Sequence, residues 1–113
     1  MAAISIKKRI EAYCKANGVV IPGAFARLTP SRYAVIRGDS GEPKLVAKTW
    51  FKQEDVCYYV RNTLIAELGA DFEKSTEILD FKENRRMKYT GSSRLVADEA
   101  FDSAEASEAS PPR

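Results

Sequence analysis

A β-hairpin is encoded by residues 31–51, SRYAVIRGDSGEPKLVAKTWF. Side chains suited to a pleated strand alternate over residues 31–37 and again over 44–51, and a period of two is typical of β-strands. Between these runs lies GDSGEP, residues 38–43, which is dense in turn-forming residues. The segment therefore predicts two antiparallel strands joined by a loop somewhat longer than the tightest types.

A helix is predicted before this hairpin, from Ala3 to Asn17. Its apolar residues recur at the spacing of one helical face, at Ile6, Ile10, Tyr13 and Cys14. Gly18 follows and favours a stop, because glycine readily adopts the left-handed conformation that ends helices. Val19 to Ile21 is a short β-branched run interrupted by Pro22, which indicates an optional short edge strand.

A second helix is predicted directly after the hairpin, over Gln53 to Leu68. Its apolar stripe repeats every four residues, at Val56, Val60, Leu64 and Leu68. Glu54 and Asp55 in the first turn suit the positive end of the helix dipole. Gly69 then ends the helix.

The segment 71–97 is open to two interpretations. Ile78 to Phe81 and Met87 to Thr90 predict two more strands, joined across Glu83 and Asn84. A helix through this charged stretch is the alternative. With the hairpin preferred, the sequence predicts an α+β fold in the order α-(β)-ββ-α-ββ, a small antiparallel sheet with both helices on one face.

Size and composition predict a single α+β domain over residues 1–97. The chain has 113 residues, and two separate cores would each be too small to be stable. Residues 98–113 consist mainly of Ala, Ser, Glu, Asp and Pro, which cannot bury enough apolar surface to fold. We therefore expect an acidic, disordered C-terminal tail there.

Targeting signals are not evident in the sequence. The longest run without a charge, 16–26, is too short and too broken by Pro and Gly to span a bilayer, and the N-terminal residues do not resemble a secretion signal. We expect a cytoplasmic protein with no membrane partner. Cys14 and Cys57 fall within the predicted helices and are interpreted as buried free thiols.

The charge is unevenly distributed along the chain. Residues 1–97 carry 17 basic and 11 acidic side chains, a net charge of +6, whereas residues 98–113 carry one basic and five acidic, a net charge of −4. A basic domain with an acidic tail is typical of proteins that meet polyanions, although +6 also serves solubility alone.

Cations and aromatic rings share one face of the predicted sheet. If the alternate residues face the helices, the opposite face is a binding surface formed by Tyr33, Arg37, Lys44, Lys48, Trp50, Arg85, Arg86 and Lys88. Rings that stack on bases beside cations that neutralise phosphates are the combination used by single-strand-binding and RNA-binding sheets. The alternative places Tyr33 and Trp50 in the core, with lysine stems lying over them.

Catalytic chemistry is poorly represented. The chain has no histidine, and its two cysteines cannot complete a zinc site, so we predict no enzyme activity, metal, cofactor or small-molecule substrate. Carboxylates that could bind a catalytic metal are interpreted as solvated: Glu54, Asp55, Glu67, Asp71, Glu73, Glu77 and Asp80.

Three functions are consistent with these features. The first is a protein-binding adaptor or inhibitor, of the compact kind that mobile elements encode, docking on a nucleic-acid-handling complex. The second is a nucleic-acid-binding accessory protein that uses the basic and aromatic face. The third is an enzyme that uses carboxylates with a divalent ion.

Overall fold

The computed structural model describes residues 5–39 and 41–100. Its strands are β1 Tyr33–Arg37, β2 Lys44–Trp50, β3 Thr76–Asp80, β4 Arg85–Tyr89 and β5 Leu95–Ala100. They form one antiparallel sheet in the order β2-β1-β3-β4-β5. Helix α1 is Ile6–Asn17, and helix α2 runs on through Gln53–Tyr59, Val60–Leu64 and Ile65–Leu68. The predicted α+β class with an antiparallel sheet and two helices is confirmed.

Both ends of α1 follow from local sequence. The Ser5 side chain accepts a hydrogen bond from the backbone N–H of Lys8 at 3.2 Å, which caps the first turn. Gly18 takes the left-handed conformation, with φ 67°, and its N–H donates to the Cys14 carbonyl. The predicted stop at this glycine is confirmed.

Helix α2 contains a π-helical turn, Val60–Leu64. A stripe that repeats every four residues drifts by about 40° per repeat around an α-helix of ~3.6 residues per turn. The wider π-turn offsets this drift, and Val56, Val60 and Leu64 are all fully buried on one side. Gly69, with φ 79°, ends the helix as predicted.

The two helices cover opposite faces of the sheet, so the prediction that both lie on one face is wrong. Ala34, Ile36 and Leu45 lie in a core cluster with α1, whereas Tyr33 and Val35 lie in a second cluster with α2. Successive residues of a strand point to opposite faces, and both sets of β1 side chains are apolar. Each face therefore required its own helix.

The segment 71–97 contains the predicted hairpin, formed by β3 and β4, and no helix runs through its charged stretch; a 3₁₀ helix, Gly69–Ser75, leads into β3. Asp80 closes the turn, because its carboxylate accepts hydrogen bonds from the backbone N–H groups of Lys82 and Glu83 at 3.0 and 3.3 Å. Asn84 completes the reversal in the left-handed conformation, with φ 56°. Asn is among the few residues that tolerate this conformation.

The optional edge strand is reduced to one bridge. Val20 pairs in parallel with Lys44, through hydrogen bonds of 2.9 Å from its N–H to the Pro43 carbonyl and from the Leu45 N–H to its carbonyl. Pro22 then leads the chain into a 3₁₀ helix, Gly23–Arg27. The outer edge of β2 beyond this bridge has no strand neighbour among the described residues.

The fifth strand was not predicted, and it corrects the start of the expected tail. Residues 98–100 belong to β5, where Ala97 and Ala100 pair with Met87 and Arg85. Backbone pairing needs no large apolar side chain, so a composition of this kind can still form an edge strand. The rest of the predicted tail, 101–113, lies outside the described residues.

No helix in the described part of the chain combines the length and apolar character needed to cross a membrane.

Candidate functional site

The part of the predicted binding surface around Tyr33 and Trp50 is covered by α2. Tyr33 is 4% exposed and Trp50 is 6% exposed, and both pack in the cluster beneath that helix. The prediction that these rings stand outward is therefore wrong. The alternative that both rings lie in the core is confirmed, and the Lys48 ammonium lies 5.7 Å from the centre of the Trp50 ring.

The cations of the predicted surface do not share one face. Arg86 pairs with Leu79, which lies in the α1 cluster, so Arg86 and the next alternate residue, Lys88, are on the α1 side of the sheet. Tyr33, Trp50 and Lys48 are on the other side. A face could not be assigned from the sequence, since alternation alone does not say how neighbouring strands align.

Arg37 and Arg85 of the predicted binding surface are engaged in ion pairs. Arg37 contacts Asp39 at 2.9 Å and Glu67 at 2.8 Å. Arg85 lies 3.8 Å from the buried Asp80 carboxylate. Lys44, Lys48 and Lys88 are exposed.

Arg86 belongs to a network between the sheet and α1. It contacts Glu77 at 3.0 Å and donates to the Tyr13 hydroxyl at 3.2 Å. Burial and the neighbouring Glu77 carboxylate raise the pKa of Tyr13. This arrangement ties α1 to β3 and β4, so Arg86 serves the fold.

A groove lies between the edge strand β2 and helix α2. Its volume is about 360 Å³, and it is lined by Lys48, Trp50, Asp55, Tyr58, Tyr59, Asn62 and Thr63. Volumes of roughly 300–1,000 Å³ are usual for ligand pockets. Among the candidate site residues, the structure brings Trp50 and Lys48 together here.

Two aromatic rings form the inner wall of the groove. The Trp50 and Tyr59 ring centres are 4.8 Å apart, with their planes tilted by 43°. The pKa of Arg37 is raised by acceptors facing its guanidinium, first Asp39, then Glu67 and, to a smaller extent, the Tyr59 hydroxyl. The Tyr59 ring thus packs against Trp50, and the two rings together form this wall.

The outer wall is formed by Tyr58 and by the π-helical turn. Asn62 and Thr63 lie in this turn, and the Asn62 amide donates to the Tyr58 carbonyl at 2.9 Å. A π-turn disrupts the usual hydrogen-bond ladder, and such turns occur frequently at functional sites. The Asn62 side chain satisfies a carbonyl at this position.

Sequence reasoning missed Tyr58 and Phe51. Tyr58 is 64% exposed at the groove, and Phe51, just after β2, is 72% exposed. Tyr58 lies two residues after Val56 and two before Val60, off the buried stripe. An aromatic residue on the polar side of an amphipathic helix was the signal that could have found it.

One of the carboxylates interpreted as solvated is buried. Asp80 has no exposed surface and pairs with Arg32, so that interpretation is wrong for it. Within residues 5–39 and 41–100, no three cysteine, aspartate or glutamate side chains are grouped as metal ligands. The absence of metal and cofactor binding stays a prediction.

The fold and groove define an α+β protein with an aromatic groove at one edge of a two-sided sheet. Comparison with protein-family models, with curated proteins and with solved structures found no match to this chain.

Proposed function

We propose that this chain is a non-catalytic protein-binding adaptor or inhibitor that holds its partner at the groove between β2 and α2. The observation that carries the proposal is the exposed ring of Tyr58 at a groove walled by Trp50 and Tyr59. Tyrosine and tryptophan are enriched among the residues that dominate binding energy at protein interfaces.

One of the two most exposed aromatic rings lies at this groove. Tyr58 and Phe51 are the most exposed of the large apolar side chains in the described residues. Large rings in water are unfavourable for the free chain, and covering them supplies the main favourable term in association. Phe51 does not line the groove, so Tyr58 is the exposed ring that a partner in the groove would cover.

The charges at the groove favour a protein over a polyanion. Lys48 contributes a cation and Asp55 a carboxylate. A surface that binds a phosphate backbone concentrates positive charge, because each contact replaces a counterion. Mixed charge around aromatic anchors is typical of protein interfaces, where the rim is polar.

Affinity capture tests the proposal. The tagged full chain and its Tyr58→Ser variant are each incubated with nuclease-treated cell extract, and the captured protein is identified and then purified. We expect a defined partner whose affinity falls about tenfold or more in the Tyr58→Ser variant, as for a dominant interface residue.

Val96→Ser is the matched control. Val96 is 51% exposed on β5, at the other edge of the sheet from the groove, so its replacement should leave capture unchanged. Equal affinity of wild type and Tyr58→Ser would overturn the proposal. A partner that disappears on nuclease treatment would favour the nucleic-acid hypothesis instead.

A further inference from the structure

We infer that the groove receives a cationic side chain of the partner, a lysine, a methylated lysine or an arginine. This inference rests on the proposed function and specifies the partner at the same site. It follows from the aromatic rings that line the groove, from the Lys48 ammonium that already lies over Trp50, and from the Asp55 carboxylate in the same groove.

Three aromatic rings line the groove, those of Trp50, Tyr58 and Tyr59. Trp50 and Tyr59 are tilted by 43° at a centre-to-centre distance of 4.8 Å, and Tyr58 lines the same groove. The face of an aromatic ring carries partial negative charge and attracts ammonium and guanidinium groups, with tryptophan the strongest. Trp50 and Tyr59 are in contact with each other, so the ring surface left for a cation is the part of Trp50 beneath Lys48 and the exposed ring of Tyr58.

The chain itself places a cation on the inner wall. The Lys48 ammonium lies 5.7 Å from the Trp50 ring centre, within the range of a cation–π contact. Lys48 is exposed and sits on a flexible stem, so it can leave the ring when another cation arrives. Its position identifies where a partner's cation would bind.

Asp55 supplies opposite charge for that cation. It lines the groove from the first turn of α2, and among the described lining residues it is the one carboxylate. A partner cation in the groove would lie near this carboxylate as well as the ring faces. Lys48 then competes for the site, and Asp55 strengthens it.

The single tryptophan makes the site directly observable. Trp50 is the only tryptophan in the chain, so intrinsic fluorescence reports on the groove. The full chain is titrated at constant ionic strength with the N-acetyl methylamides of lysine, trimethyllysine, arginine and the uncharged isostere norleucine. We expect saturable changes with one or more of the cations and none with norleucine, and the strongest responder identifies the source.

Two exposed side chains then give effects of opposite sign. Asp55→Asn should weaken cation binding about two- to fivefold, and Lys48→Gln should strengthen it by a similar factor, as expected for contacts of this strength. Equal binding of norleucine, weaker binding on Lys48→Gln, or no response to any cation would overturn the inference. Thermal melts of both variants should match wild type, since both positions are exposed.

The capture experiment separates this inference from the proposed function. If Tyr58→Ser abolishes partner capture while no cation perturbs Trp50, the groove binds protein through other chemistry and only the inference fails. If Tyr58→Ser leaves capture intact, the proposed function fails regardless of the titration. Saturable cation binding that Asp55→Asn weakens and Lys48→Gln strengthens would then support a cation site in the groove, but not its role in binding a partner protein.

Discussion

The guanidinium of Arg32 donates to both carboxylate oxygens of Asp80, at 2.8 and 2.7 Å, and Asp80 has no exposed surface. Arg32 precedes β1 and Asp80 ends β3, so the pair joins the two central strands at one end of the sheet. The same carboxylate accepts hydrogen bonds from the turn that follows it. Asp80 therefore couples the position of β1 to the shape of the second hairpin.

Arg32→Ala should destabilise the fold by about 2–4 kcal/mol, because a buried carboxylate loses its bidentate partner. Urea-induced unfolding measures this. Arg37→Ala is the matched control, since Arg37 pairs with the more exposed carboxylates of Asp39 and Glu67 and its loss should cost no more than about 1 kcal/mol. Equal losses in the two variants would contradict the assigned role of Asp80.

Stability should fall in acid through Asp80. Burial acts to raise the pKa of this carboxylate, but the hydrogen bonds from Arg32 and from the N–H groups of Lys82 and Glu83 outweigh it and hold the pKa below the ordinary value. The stabilisation is thus present above the unfolded-state pKa of about 3.9 and is lost as pH falls through the lower folded-state pKa. Thermal melts between about pH 6 and about pH 2 should show a smaller acid-dependent decrease in melting temperature for Asp80→Asn than for wild type.

Neither cysteine should react with iodoacetamide in the folded protein near neutral pH. Cys14 and Cys57 are free and fully buried, and burial raises the pKa of Cys14 to about 12 and raises that of Cys57. The reactive thiolate is therefore scarce and inaccessible. Mass spectrometry should show alkylation of both thiols only in denaturant. Labelling of either one faster than global unfolding would contradict the packing described for α1 or α2.

Tyr58 and Tyr59 should separate binding from stability. Tyr58→Ser should change the free energy of unfolding by less than about 0.5 kcal/mol, because its ring is exposed. Tyr59→Leu should cost about 1–2 kcal/mol, since it removes the ring contact with Trp50. Denaturant titration of each variant measures the difference. A large loss in Tyr58→Ser would show that this ring supports the core and would weaken its assignment to an interface.

Much of the fold was predictable because it follows from local periodicity. The spacing of Ile10 and Cys14 marked α1, the alternation around residues 33–37 and 44–50 marked the first hairpin, and Gly18 and Gly69 marked helix ends. The β5 strand was not predictable in this way. It begins at the buried Leu95, and its later residues pair with β4 through the backbone, which composition does not indicate.

The site was only partly predictable for a related reason. Trp50 and Lys48 were correctly associated with each other, since residues two apart on a strand share a face. Arg86 and Lys88 were wrongly added to them. That error arose because the face of a β4 residue depends on its register with β3, which sequence alternation leaves open.

Along each strand and helix, the periodicity of the sequence alone determined which side chains share a face. Tertiary structure decided which face met which helix. Both sets of β1 side chains are apolar, from Tyr33 and Val35 to Ala34 and Ile36, so either face could be buried and in this fold both are. The reason is physical: burial of apolar surface is not directional, and only the packing of α1 and α2 on opposite sides removes both faces from water.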